Sequence, residues 1–99
     1  MTIDEFKASI EEAEKPDSSL NDVLKALWHD AKGNWDRAHE LCQSASSKDG
    51  DWVHAYLHRK EGDLSNASYW YSRAGQPRFE GSLSDEWESM LEALWERRG

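Results

Sequence analysis

The sequence predicts an all-α fold, and three observations carry that prediction. Apolar residues recur at helical spacings of three and four along most of the chain, cap residues stand before each such run, and one helix-turn-helix pattern occurs twice. No stretch alternates with the period of two that a half-buried strand requires. The chain has 99 residues, which suits one domain. A chain of this size buries a little over ~60% of its unfolded surface and leaves nothing for a second core.

The elements follow in order. Thr2 and Glu5 have the spacing of a capping box, and Ile3, Phe6, Ile10 and Ala13 then share one face, so an N-terminal helix is predicted within 1–15. Pro16-Asp17-Ser18-Ser19 breaks it. Ser19 with Asp22 offers the next start, and Val23, Leu24, Leu27, Trp28 and Ala31 form a broad apolar stripe ending at Gly33. Asn34 caps a third helix carrying Trp35, Ala38, Leu41, Cys42 and Ala45, so 19–46 reads as a helical hairpin. Ser46-Ser47-Lys48-Asp49-Gly50 interrupts it.

The pattern then returns over 51–75. A helix from about Asp51 to Glu61 leads to Gly62, a capping Asp63, and a helix with Leu64, Ala67, Trp70, Tyr71 and Ala74. An offset of 29 superposes Gly33 on Gly62, Ala38 on Ala67, Leu41 on Trp70 and Ala45 on Ala74. After a connector from Gly75 to Gly81, Ser82 or Ser84 starts a last helix within 82–98. Its Trp87, Met90, Leu91, Leu94 and Trp95 fall on one face. That helix is expected to close the end of the hairpin stack, since an uncovered end would expose an apolar patch.

Composition narrows the function classes. Six tryptophans, three tyrosines and two phenylalanines supply a core of large rings and need no ligand to explain them. Twenty acidic against twelve basic side chains give a net charge of −8, which repels phosphate backbones, so no nucleic-acid partner is expected. Cys42 is the one cysteine, and the N-terminus has neither a basic start nor a long apolar run, which together predict a cytoplasmic protein. No apolar run approaches the ~20 residues of a bilayer span, so no membrane association is expected.

One stretch could carry chemistry. His54 and His58 are four apart on a predicted helix, the spacing of zinc-binding helices, and Glu61 lies one turn on. The metalloprotease glutamate directly after the first histidine is missing, and Trp52, Val53 and Tyr56 define an apolar side nearly opposite the two histidines. The histidines therefore read as a polar face, solvated or between helices, and no metal or cofactor is expected. A small metal-dependent enzyme or sensor using His54, His58 and Glu61 is the alternative. No serine, histidine and carboxylate set is tied by a motif, and no glycine-rich phosphate loop is present, so no enzyme is expected.

From each glycine onward the pattern runs Gly-x-(large)-x-x-Ala-x-x-x-(Cys/Tyr)-x-x-Ala, through Gly33, Trp35, Ala38, Cys42, Ala45 and through Gly62, Leu64, Ala67, Tyr71, Ala74. It resembles the second helix of a tetratricopeptide repeat. Ala67-Ser68-Tyr69-Trp70-Tyr71-Ser72-Arg73-Ala74 is similar to the signature of Sel1-like repeats, relatives of the same architecture. The offset of 29 is shorter than the usual ~34, so a turn has been trimmed. The resemblance implies an α-α superhelix of two tetratricopeptide-like hairpins with flanking N-terminal and C-terminal helices. It further implies a non-enzymatic module that grips a protein or peptide on its inner surface, as a monomer or weak homo-oligomer. Carried over by the glycine anchor, Trp52, Tyr56, Arg59 and Lys60 fall near that surface, and aromatic anchors beside a basic pair suit an acidic peptide or a terminal carboxylate. The competing assignment puts Trp52 and Tyr56 in the core and Arg59 and Lys60 on a solvated edge. Tyr69 is a further candidate, with burial against the last helix as its expected setting.

Overall fold

The computed structural model describes residues 1–98. Among them are six helices and no strand: α1 (Ile3–Glu12), α2 (Asp22–Ala31), α3 (Trp35–Ala45), α4 (Lys48–Lys60), α5 (Leu64–Ala74) and α6 (Leu83–Glu96). No helix is long and apolar enough to cross a membrane. Each helix starts on a side-chain cap, which satisfies an N–H that the helix leaves without a partner and contributes ~0.5–2 kcal/mol. Thr2 and Glu5 make the full reciprocal box, at 3.1 and 2.7 Å.

Two starts differ from the sequence reading for local reasons. Ser19 does not cap α2, because its N–H and its hydroxyl both donate to Asp17 Oδ1 at 2.9 and 2.6 Å, and Asn21 takes the capping role instead. Gly50 does not break the chain but lies in the first turn of α4. A Cβ there would come within 2.9 Å of the Cys42 carbonyl oxygen, so glycine is what lets α4 start tight against α3. The reversal between them runs through Ser46, a non-glycine residue in the left-handed region at φ 45°.

The turns at Gly33 and Gly62 are built alike. Both glycines have φ 86°, and the N–H groups of Asn34 and Asp63 reach back to the carbonyls of His29 and His58 at 2.9 and 3.0 Å. This is the closure expected where a glycine ends a helix. Helix α2 packs along α3 and α4 along α5, while α3 and α2 also touch α4. Consequently α4 is the central element, buried from Val53 through His58.

Helix α6 lies across α2 and α4, not on the end of the stack. The reason is the apolar wall that α2 and α4 offer: Leu24, Leu27, Trp28, Val53 and Leu57 meet Met90, Leu91, Leu94 and Trp95 in one core, with Phe6 of α1 between Trp87 and Trp95. The Trp87 indole N–H donates to the Leu27 carbonyl at 3.1 Å and fixes the seating. A smaller cluster of Ala55, Ala67 and Tyr71 joins α4 to α5, where the small side chains let the two helices approach closely.

Candidate functional site

Helix α4 packs against α2, α3, α5 and α6, so the polar residues of its middle, His54 and His58, are interior groups. His54 and His58 are 3% and 7% exposed, which corrects the expectation of a solvated face and leaves the inter-helix one. They face α3, where His39 completes a cluster. His39 Nε2 lies 2.9 Å from His54 Nε2, and His54 Nε2 lies 3.0 Å from His58 Nε2. On the far side of the His58 ring, Nδ1 meets Glu61 Oε1 at 2.6 Å.

The rings are packed against tryptophans. Trp35 stacks on His39 with centroids 4.8 Å apart and is itself anchored by its N–H on the Leu57 carbonyl at 2.9 Å. Trp70 of α5 stacks on His54 at 3.9 Å and 13°. Burial, helped by the neighbouring His39 and His58 and by Arg73, brings the His54 imidazole down to about 4, and burial also lowers that of His39. Both rings are therefore neutral near pH 7 and keep a lone pair.

Proton placement cannot satisfy the cluster. An imidazole nitrogen offers either one N–H or one lone pair, along a single in-plane direction. His54 Nε2 has two nitrogen neighbours at hydrogen-bond distance, so no arrangement of protons makes both contacts linear hydrogen bonds. A metal ion offers another way to occupy three imidazole nitrogens this close together. A tetrahedral ion with Zn–N bonds of ~2.0–2.1 Å separates its nitrogens by about 3.3 Å, close to two of the observed spacings, and all three ligating atoms lie within 4.8 Å of one another. In such a site Glu61 would be the carboxylate that orients His58 from outside.

The residues assigned to partner binding do not form one exposed surface, although Tyr56 and Lys60 meet on Asp30. Trp52 is half-buried in the core with Arg97 over its ring. Tyr56 is buried, its hydroxyl donating to Asp30 Oδ2 at 3.0 Å, and Lys60 reaches Asp30 Oδ1 at 2.9 Å. Arg59 Nη1 donates to Glu86 Oε1 at 2.8 Å and its Nη2 to the Gly81 carbonyl, while Tyr71 donates to the other Glu86 oxygen. The basic pair is thus committed to two buried carboxylates, Asp30 and Glu86, because a carboxylate inside the fold must have a cation or donors. Tyr69 is 53% exposed beside Arg73, not buried under α6, because α6 lies elsewhere.

A groove of about 540 Å³ opens beside the cluster, lined by the α3 to α4 turn, Asp51, His54, Trp70 and Arg73. Cys42 also lines it, but burial pushes its thiol up to about 12, which makes it a core group and not a nucleophile. His39 is the cluster residue that the sequence reading missed. Its signal was weak: it follows Ala38 on α3 and stands one turn after Trp35, and nothing in that spacing joins it to His54. Comparisons with models of protein families, with curated proteins and with solved structures found no match, so the site has to be read from its own geometry.

Proposed function

We propose that the protein binds a divalent transition-metal ion of the zinc class through His39, His54 and His58, and works as a small metal-sensing or metal-carrying domain rather than as an enzyme. The observation that carries this reading is the closeness of three imidazoles, in which His54 Nε2 lies within 3.0 Å of a nitrogen on each side and cannot make a linear hydrogen bond to both. Neutral imidazoles suit zinc, copper and nickel, and three protein ligands leave a coordination position for water or another small ligand. The ligand set spans α3 and α4, so a bound ion would tie one helix pair to the other.

We also infer that the two helix pairs are copies of one repeat, in a shortened superhelix of the tetratricopeptide-like kind. The matching turns at Gly33 and Gly62 support this. The inner face that would grip a peptide in such an array is covered by α6, which favours the metal over a peptide as the ligand.

Titration with zinc followed by calorimetry tests the metal reading. One ion per chain is expected, with cobalt(II) giving the visible absorption of a tetrahedral site, and alanine at position 39, 54 or 58 removing both. Zinc affinity unchanged in His39→Ala, or no binding below millimolar zinc, overturns it.

A further inference from the structure

The groove beside the histidine cluster has the features of a ligand site. His54 is 3% exposed, and its Nε2 is taken up by the cluster. Its Nδ1 makes no hydrogen bond among the described residues. No polar side-chain atom among them is both fully enclosed and without a partner, so Nδ1 retains some access, and His54 is one of the residues that line the groove. The stack on Trp70 holds the ring in that orientation.

Two cations, Lys48 and Arg73, stand against one carboxylate, Asp51, in the rest of the lining. Lys48 makes no ion pair among the described residues. Arg73 spends Nε on Asp51 at 3.6 Å and Nη1 on the Tyr69 hydroxyl at 3.2 Å, which leaves Nη2 without a partner among the described residues. Helix α4 begins here, and its cap Ser47 satisfies the Gly50 N–H, so the N–H groups of Lys48 and Asp49 remain for a ligand at the positive end of a 13-residue helix.

We propose that this groove binds a small oxyanion, a carboxylate or phosphate group, which accepts the His54 Nδ1 proton and is held by Lys48, Arg73 and the start of α4. The proposal rests on the metal reading in one respect. A metal on Nε2 obliges a neutral His54 to carry its proton on Nδ1, so the metal turns this nitrogen into a donor and the oxyanion becomes its outer partner. Metal and oxyanion then strengthen each other's binding by the same factor.

The test uses the full chain, with and without zinc, titrated with acetate and with sulfate, a weak zinc ligand that stands in for phosphate. The side-chain nitrogen signals of His54 are followed by NMR. Saturable shifts at His54 are expected, tighter in the zinc-loaded protein, and weakened about tenfold or more in Lys48→Ala/Arg73→Ala, as loss of charge-assisted contacts implies. The tighter of acetate and sulfate identifies the source of the oxyanion. Shifts that do not saturate, that chloride reproduces, or that the double variant leaves unchanged overturn the proposal. Zinc binding is measured separately: if zinc binds and neither anion saturates, the groove proposal alone falls. If zinc fails to bind, the metal reading falls and the zinc-free titration decides the groove.

Discussion

The Nε2 atoms of His39 and His54 lie 2.9 Å apart, although 15 residues and a helix reversal separate them in the chain. The contact makes His39 the residue on which a three-nitrogen site depends. Glu61 acts on the same site from outside, through His58 Nδ1. Glu61→Gln should therefore weaken binding at the proposed zinc site by ~10–100-fold, as loss of an outer partner does. His29→Ala should leave it unchanged, because His29 packs on Trp28 and stands apart from the cluster. Competition against a chromogenic chelator measures both.

The lowered His54 value sets a direction for acid sensitivity. His54 is held at about 4 in the folded chain by burial, by His39 and His58 on the neighbouring faces, and by Arg73 from α5, against 6.5 when unperturbed. Between those values the unfolded chain binds a proton that the folded chain does not, so stability is present above pH 6.5 and falls as the pH drops towards 4. The slope from this residue is up to ~1.4 kcal/mol per pH unit. Urea midpoints at pH 7.5 and 4.5 should separate in the native sequence, and separate less in His54→Gln.

Glu86 is 1% exposed and depends on Arg59 and Tyr71. Arg59→Met should cost ~3–5 kcal/mol, because it leaves a buried carboxylate without its cation. Arg59→Met/Glu86→Gln should recover much of that loss, since a neutral amide still accepts from Tyr71 and needs no counter-charge. Chemical denaturation of the two variants gives the comparison.

Ala67 is 2% exposed between Ala55 and Tyr71. Ala67→Leu should overpack the α4 to α5 contact and cost ~1–3 kcal/mol. Glu40→Ala, which removes an exposed pair with Arg37, should stay within ~0.5 kcal/mol. Equal denaturation midpoints would contradict the close packing of α4 on α5.

A chain ending at Gly81 loses Met90, Leu91, Leu94 and Trp95 from the core. At ~1.5–3 kcal/mol for each large side chain, the loss is comparable with a net stability of ~5–15 kcal/mol. Weak helical circular dichroism and aggregation on size exclusion are expected.

What the sequence made legible was local. Thr2 with Glu5, Asn34, Asp63 and Ser82 announced helix starts because a cap is a contact within one turn, and Gly33 and Gly62 announced ends because only a backbone with positive φ closes those turns cheaply. Ser19 misled because Asp17 competes for it, and Gly50 because its role lies in the approach to Cys42 on another helix. The site was half legible. His54 and His58 share a helix face, but their burial follows from α4 being central, and their union with His39 follows from how α3 lies on α4. The same holds for Asp30 and Glu86, whose cations come from 30 and 27 residues away.

The placement of α6 across α2 and α4 also governs the order in which the molecule can assemble. Lys7 meets Glu88 across 81 residues, and Trp87 meets the Leu27 carbonyl across 60, so these contacts close long loops in the chain. Loop closure costs entropy before any contact repays it, whereas the α2 to α3 and α4 to α5 pairs need only short reversals. Helical pairs are therefore expected to form before α6 docks, with Leu27, Val53 and Leu57 bare in the interval. During synthesis that interval lasts until residue 96 has been added, which makes the unfinished chain, and not the native protein, the species most exposed to aggregation.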